Sequence, residues 1–220
     1  MKSLLVACAF AASVVASPAL ADVISFSHTT PTATGPYTDT FNLPAFTTTL
    51  GTLVSIKIDL ASSANAEVDV FNNTSSAKSF SNATATVPAT ATGPAGVSTS
   101  QNLVAGPVGG TAPVGFSSYP GLVASASSFI FVPVGDFSSY EAPPAGLDLA
   151  FTVTIGEGTY TGTAPTRVFF SGSADVGGVT TITYTYSLPP YSPPVPEPAS
   201  LALLGTGVLG LWQVCRRRSQ

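Results

Sequence analysis

Apolar and polar residues alternate with a period of two along much of the central chain. In residues 54–60, valine, isoleucine and leucine occupy one face of an extended segment, and Ser55, Lys57 and Asp59 occupy the other. This period is typical of a β-strand with one buried face. The pattern predicts at least seven strands. The other runs are residues 39–46, 67–71, 129–134, 147–155, 167–171 and 179–188.

Strands that each carry one apolar face bury it most simply when two sheets pack together. We therefore predict an all-β fold, an antiparallel β-sandwich over residues 22–187, with a closed β-barrel as the runner-up. The abundance of Ser, Thr, Ala, Gly and Pro leaves a disordered stalk as an alternative. The 13 Phe and 7 Tyr of the chain favour a folded domain, because they supply apolar area that disordered segments lack.

Two proline-rich stretches interrupt the alternation. Because proline cannot donate to a strand ladder, we predict that residues 86–120 form a long surface excursion with at most one or two short strands. Residues 188–195 contain four more prolines. Their composition predicts an extended polyproline linker that holds the following residues away from the folded domain. The prolines of the first stretch that break the pattern are Pro88, Pro94, Pro107 and Pro113.

The N-terminus has the composition of a secretory signal peptide, which we predict over residues 1–21. Lys2 supplies the positive charge, residues 4–15 are apolar, and Ala19 and Ala21 form an A-x-A cleavage pattern for signal peptidase. Cleavage is expected directly after this segment, which places the body of the chain outside the cytoplasm. A retained N-terminal membrane helix is the alternative, and the short apolar core disfavours it.

The C-terminus combines a proline motif, an apolar segment and a basic end, in that order. Residues 199–215 carry no charge, and as a helix they would reach about 25 Å, a little less than the roughly 30 Å of a bilayer core. We predict a transmembrane helix here, with the basic end on the cytoplasmic side. A permanent anchor is the alternative to a segment that an enzyme removes. The motif is Pro196, Glu197 and Pro198, and the basic residues are Arg216, Arg217 and Arg218.

This arrangement over residues 196–220 closely resembles the PEP-CTERM sorting signal of Gram-negative bacteria that make exopolysaccharide. The resemblance implies that an exosortase, a membrane-embedded cysteine transpeptidase, recognises and processes the chain as its substrate. It also implies export, transient anchoring in the inner membrane, and delivery to the cell surface or extracellular matrix. Cys215 is expected to be an apolar filler residue and not a catalytic thiol.

The body of the chain also resembles the choice-of-anchor E domain, a β-rich module found ahead of several alternative C-terminal anchors. The likeness covers roughly residues 23–187 and brings no catalytic residues with it. The segments that carry it are residues 41–46, 50–53, 54–60, 160–163 and 183–186.

The body between the two targeting segments is acidic and contains no cysteine. Residues 22–195 hold three basic and ten acidic side chains, a net charge of −7 with His28 neutral. Such a surface repels nucleic acid phosphates, so nucleic-acid binding is excluded. Cys8 and Cys215 lie in the targeting segments, so we expect neither disulfides nor a thiolate metal site in the body.

No residue pattern in the body predicts catalysis, and we expect neither an enzyme nor a bound cofactor. His28 is the only histidine, an exposed edge position explains it, and no G-x-S-x-G motif accompanies the serines. Glu67 and Asp69 are best explained as the solvated face of a sheet, with a calcium site as the alternative.

These features predict an exported, non-enzymatic protein with a structural or adhesive role in an exopolysaccharide matrix or biofilm. The alternative is a polysaccharide-binding module, with exopolysaccharide as its partner, that uses exposed aromatic side chains as platforms for sugar rings. A secreted hydrolase is the third hypothesis. The candidate platforms are Tyr119, Tyr140, Tyr160 and Tyr191.

Overall fold

β-Strands make up most of the computed structural model, which describes residues 21–142 and 146–189. The all-β prediction is confirmed. The other regular elements in these ranges are three 3-10 turns, Thr48–Leu50, Pro94–Gly96 and Val134–Ser139. The strands are β1 (Ala21–Thr34), β2 (Tyr37–Pro44), β3 (Phe46–Thr47), β4 (Thr52–Asn72), β5 (Lys78–Thr92), β6 (Ser98–Ala112), β7 (Gly115–Phe131), β8 (Glu141–Ala142), β9 (Asp148–Ile155), β10 (Thr159–Thr163) and β11 (Val168–Ser187).

The strands form two main sheets whose pairings are antiparallel. Sheet A has the order β1-β11-β4-β7. In sheet B, β5 pairs with β6 along one side and with β9 and β10 along the other, and β2 pairs with β9. β3 and β8 form a short parallel pair. The described strands leave open edges in both sheets, so the closed runner-up is wrong.

Alternate residues of the two sheets build one core between them. On β4, Ile56, Ile58 and Val68 are fully buried, and they share a cluster with Val87 of β5 and Phe151 of β9. Full burial of one such side chain stabilises the fold by about 1.5–3 kcal/mol. The two sheets therefore pack face to face as a sandwich, because strands of both sheets, such as β4 and β9, bury every second residue.

Several predicted strands are parts of longer ones. Residues 54–60 and 67–71 both lie in β4, and β11 likewise unites two predicted strands. The stretch that joins the two parts of β4 keeps the alternation, because Ser62, Ala64 and Ala66 are buried. Ala and Ser give a weak hydrophobic signal, so the sequence pattern alone suggested a break.

The prediction of a surface excursion at residues 86–120 is wrong, because β5, β6 and β7 run through this stretch. From Ala83 to Ala91 on β5, the buried positions alternate with Thr and Pro in strict period two. Their small side chains fill the space between the sheets without the bulk by which a core strand is usually recognised. The buried residues are Ala83, Ala85, Val87, Ala89 and Ala91.

The prolines of this stretch lie where few ladder hydrogen bonds are lost. Pro88 lies where β5 changes its partner from β9 to β10, and its carbonyl accepts from the Gly156 N–H over 2.9 Å. Pro94 opens a 3-10 turn, and Pro113 lies between β6 and β7. Pro107 falls at an irregularity in the β5–β6 register. Proline is tolerated in sheets at such turns and breaks.

Two buried tyrosines donate hydrogen bonds to backbone carbonyls. Tyr140 donates to the Pro94 carbonyl over 2.9 Å, and Tyr184 on β11 donates to the Pro44 carbonyl over 3.0 Å. Burial raises the pKa of both hydroxyls well above their usual value near 10.0, and the negative charge of Asp136 raises the pKa of Tyr140 further. The folded state therefore favours the neutral form of both side chains.

The domain is accordingly expected to lose stability as the pH rises above about 10, where tyrosine ionises in the unfolded chain but not in the folded one. Urea unfolding of the full-length chain between about pH 8 and pH 11 should show a falling midpoint, with absorbance of the tyrosinate form of these residues appearing only on unfolding. In Tyr184→Phe the midpoint should fall less steeply. A midpoint that stayed constant over this range would contradict the prediction.

Candidate functional site

The two ends of the folded domain lie side by side at one end of sheet A. Ala21, the first residue of β1, pairs with Ser187, the last residue of β11, and the Tyr186 hydroxyl donates to the Asp22 carboxylate over 3.2 Å. A side-chain carbon at Gly51 would lie 2.1 Å from the Ser187 carbonyl oxygen, so only glycine permits this approach. The chain thus leaves the domain at a closely packed position.

The residues predicted to direct sorting precede or follow the folded domain in the sequence. Pro196, Glu197 and Pro198, the predicted helix at 199–215, and the three arginines lie outside the described residues, as does Ala19. Ala21 is described and is exposed. Within residues 21–142 and 146–189, no helix is long and apolar enough to cross a membrane.

A family model described as the PEP-CTERM protein-sorting motif matches residues 194–218. The chain carries a PEP-CTERM sorting signal. This motif marks an exported protein that is anchored transiently in a membrane and sorted by exosortase, itself a membrane protein. No curated protein matches the chain. The likeness of the body to the choice-of-anchor E domain stays a prediction.

The PEP-CTERM match begins close to the end of the folded domain. Only residues 188–193 separate it from Ser187. Six residues span at most about 20 Å even when fully extended. The spacer is therefore shorter than the strand that precedes it, since the 20 residues of β11 extend over about 65 Å.

His28 joins the edge strands of the two sheets. It lies half-buried on β1 of sheet A, and its Nε2 is 3.0 Å from the Oδ2 of Asp39 on β2 of sheet B. Its ring also stacks on Phe41, with 3.9 Å between ring centroids. His28 lies on an edge strand, as predicted, but it is half-buried and not exposed. These contacts show that it helps close one side of the sandwich.

Of the four tyrosines predicted as exposed sugar platforms, the three that the structure describes are buried or half-buried. Tyr140 is fully buried. Tyr119 is half-buried and packs edge-on against Phe80, with 4.9 Å between centroids. Tyr160 is half-buried beside the backbone of Gly172. Tyr191 lies outside the described residues.

The exposed aromatic surface consists instead of phenylalanines on sheet A. Phe71 on β4 pairs directly with Phe116 on β7 and with Phe169 on β11. The three residues, which we call the phenylalanine row, are 43%, 63% and 57% exposed, respectively. Phe71 has the same strand parity as Glu67 and Asp69, so the sequence held a signal that it faces solvent.

A polar strip lies beside the phenylalanine row on the same face. Asp69 pairs with Ser118 on β7 and with Ser171 on β11, and the Ser118 hydroxyl donates to the Asp69 carboxylate. One step further along the strands, Glu67 pairs with Ser173. Two carboxylates and several hydroxyls thus border three exposed aromatic rings.

The middle of this face holds a shallow depression of about 520 Å³ over Ser63, Asn65 and Ser125. The opposite end of the face is again aromatic. There, Phe129 and Phe131 pack edge to face, with 5.7 Å between centroids. The Lys57 ammonium lies 4.6 Å from the Phe129 centroid and 2.6 Å from an Asp59 oxygen. This second aromatic pair thus has a cation over one ring, whereas the cation nearest in sequence to the phenylalanine row is the exposed Arg167, two residues before Phe169.

Proposed function

We propose that this chain is a non-enzymatic, exported β-sandwich protein that an exosortase-like transpeptidase processes and delivers to the cell surface or extracellular matrix. Its role there is structural or adhesive, within an exopolysaccharide matrix or biofilm of a Gram-negative bacterium. The observation that carries the proposal is the PEP-CTERM motif at residues 194–218. Supporting it, the folded domain ends at Ser187, just before that motif.

A processed product should lack the C-terminal segment and begin after the signal peptide. We expect the intact mass of the surface protein from the native host to correspond to a chain that starts at Asp22 and has lost Trp212. In a host without its sorting enzyme, the same protein should keep Trp212 and stay with the membrane fraction. Surface protein that retained Trp212 in the wild-type host would refute the processing step.

The second candidate function is polysaccharide binding through exposed aromatic residues. The observation that favours it is the phenylalanine row, which takes the place of the tyrosines that the sequence suggested. Aromatic faces that border hydrogen-bonding groups are a common composition of ligand sites. This function is compatible with an adhesive role and does not require catalysis.

A further inference from the structure

Three aligned phenylalanines in water are an unusual feature for a sheet that already has a buried core on its other face. The solvent-facing positions of a sheet accept small polar side chains, as the neighbouring row of Ser118, Asp69 and Ser171 illustrates. The fold therefore does not require phenylalanine at these three positions. Exposed apolar side chains that adjoin one another commonly mark an interaction surface. We therefore expect the phenylalanine row to bind a partner.

The polar strip indicates which chemical groups the partner must present. Aromatic faces carry a negative quadrupole and attract the weakly positive C–H groups of an apolar surface. The Asp69 carboxylate, one row away, accepts hydrogen bonds and strengthens them by its charge. A ligand that presents C–H groups on one side and hydroxyl donors at its rim satisfies both rows at once, and a sugar ring has this form.

The negative charges of Asp69 and Glu67 disfavour anionic ligands and a second copy of the chain at this surface. Asp69 and Glu67 would repel anionic lipid or an anionic polymer. A second copy packed over this face would remove both carboxylates from water and bring its own two against them. Arg167, in the turn before β11, would offset only one of the two charges on each copy, so this packing is costly. Within the described outer face of sheet A, Lys57 already pairs with Asp59 beside the other aromatic cluster.

We propose that the phenylalanine row and the Asp69 carboxylate form a binding surface for a neutral polysaccharide. The proposal rests on the second candidate function and specifies its site and ligand class. Three adjacent strands place the rings across about 10 Å, so the surface holds a short segment of a long polymer. Binding is expected to be weak at one site and to gain strength from many copies of the protein on one polymer.

The phenylalanine row lies far from Ser187, the last residue of β11, on the same sheet. Phe169 lies near the start of that strand. The 18 residue steps from Phe169 to Ser187 correspond to about 60 Å of strand. A ligand on the row would therefore leave the end of β11 uncovered.

Affinity electrophoresis of the full-length chain, purified in a detergent without a sugar headgroup, tests the proposal. The probes are a neutral linear β-glucan and alginate, a polymer of uronic acids. We expect the β-glucan to retard the wild-type protein and Phe71→Ala to weaken this binding by about tenfold or more, equivalent to about 1.4 kcal/mol. Asp69→Asn should weaken it to a smaller extent.

Phe131→Ala is the matched control, because Phe131 lies on the same face but outside the row. Phe131 is 57% exposed, as is Phe169, whereas Phe71 is 43% exposed. The control should bind like the wild type, and urea midpoints should confirm that all variants are folded. Equal binding by Phe71→Ala and the wild type, equal loss in the control, or no binding of the neutral polymer would overturn the proposal. Alginate binding as tight as β-glucan binding would also overturn the proposal, because it would implicate the positive charge of Arg167 in the turn before β11. A wild-type dimer that the Phe71→Ala substitution dissociates would overturn it as well. The assay uses purified protein, so its result is separate from that of the sorting experiment.

Discussion

Replacing Pro196, Glu197 and Pro198 together by alanine is expected to abolish C-terminal processing and to leave the exported protein in the membrane with Trp212 attached. The family match covers these three positions, and the change leaves the apolar segment and the basic end intact. Anchoring should therefore persist while recognition is lost. Intact mass and the partition between membrane and surface fractions measure the outcome.

A matched control removes prolines outside the motif. Pro189→Ala with Pro190→Ala changes two prolines that precede the matched residues, and this variant should be processed like the wild type. If the triple alanine variant reached the surface without Trp212, the motif would not be the recognition element. If both variants escaped processing to the same extent, the loss of processing would be due to changes in the linker and not in the motif.

Gly172→Ala is expected to cause the largest loss of stability of any single methyl addition on sheet A. Gly172 pairs with Val68, four residues after the first pair of the β4–β11 ladder, Val168 with Asn72. A side-chain carbon there would lie 2.0 Å from the Glu67 carbonyl oxygen and 2.7 Å from the Tyr160 ring. Because the closest atom belongs to backbone, the two central strands must separate, and we expect a loss of about 3 kcal/mol or more.

Urea unfolding of the full-length chain measures this loss, and Gly135→Ala provides the control. A side-chain carbon at Gly135 would meet no atom within 4 Å, so its free energy of unfolding should change by less than about 0.5 kcal/mol. An unchanged midpoint in Gly172→Ala would show that β4 and β11 are not held as closely as described.

The period-two pattern predicted the fold class because β4 and β11 bury large aliphatic and aromatic residues at alternate positions. It failed for β5 and β6, where alanine supplies much of the buried surface and proline suggested a break. Hydrophobicity scales weight the size of a side chain, so the alanines that fill most of the buried positions of β5 give a weak signal although they are fully packed. The partner change at Pro88 depends on two strands far along the chain, which a local pattern does not contain.

The sorting signal and the phenylalanine row differed in how far the sequence revealed them. The sorting signal is linear, so its order of motif, apolar segment and basic end was visible without any fold. The phenylalanine row joins positions 71, 116 and 169, and only the register of three strands brings them together. Tyr140 shows the converse error, because an aromatic residue next to serines and an acidic residue proved to be part of the core.

The strand order also bears on when the domain can fold. β11 is the last strand of the domain, yet it lies between β1 and β4 and pairs with both along most of its length. β1 therefore has no strand partner until residues 168–187 are present, although its His28 contacts Asp39 of β2. A chain that ended before β11 would leave the facing edges of β1 and β4 unpaired. The sorting motif begins after β11, so a chain that carries the whole motif also carries every strand of sheet A.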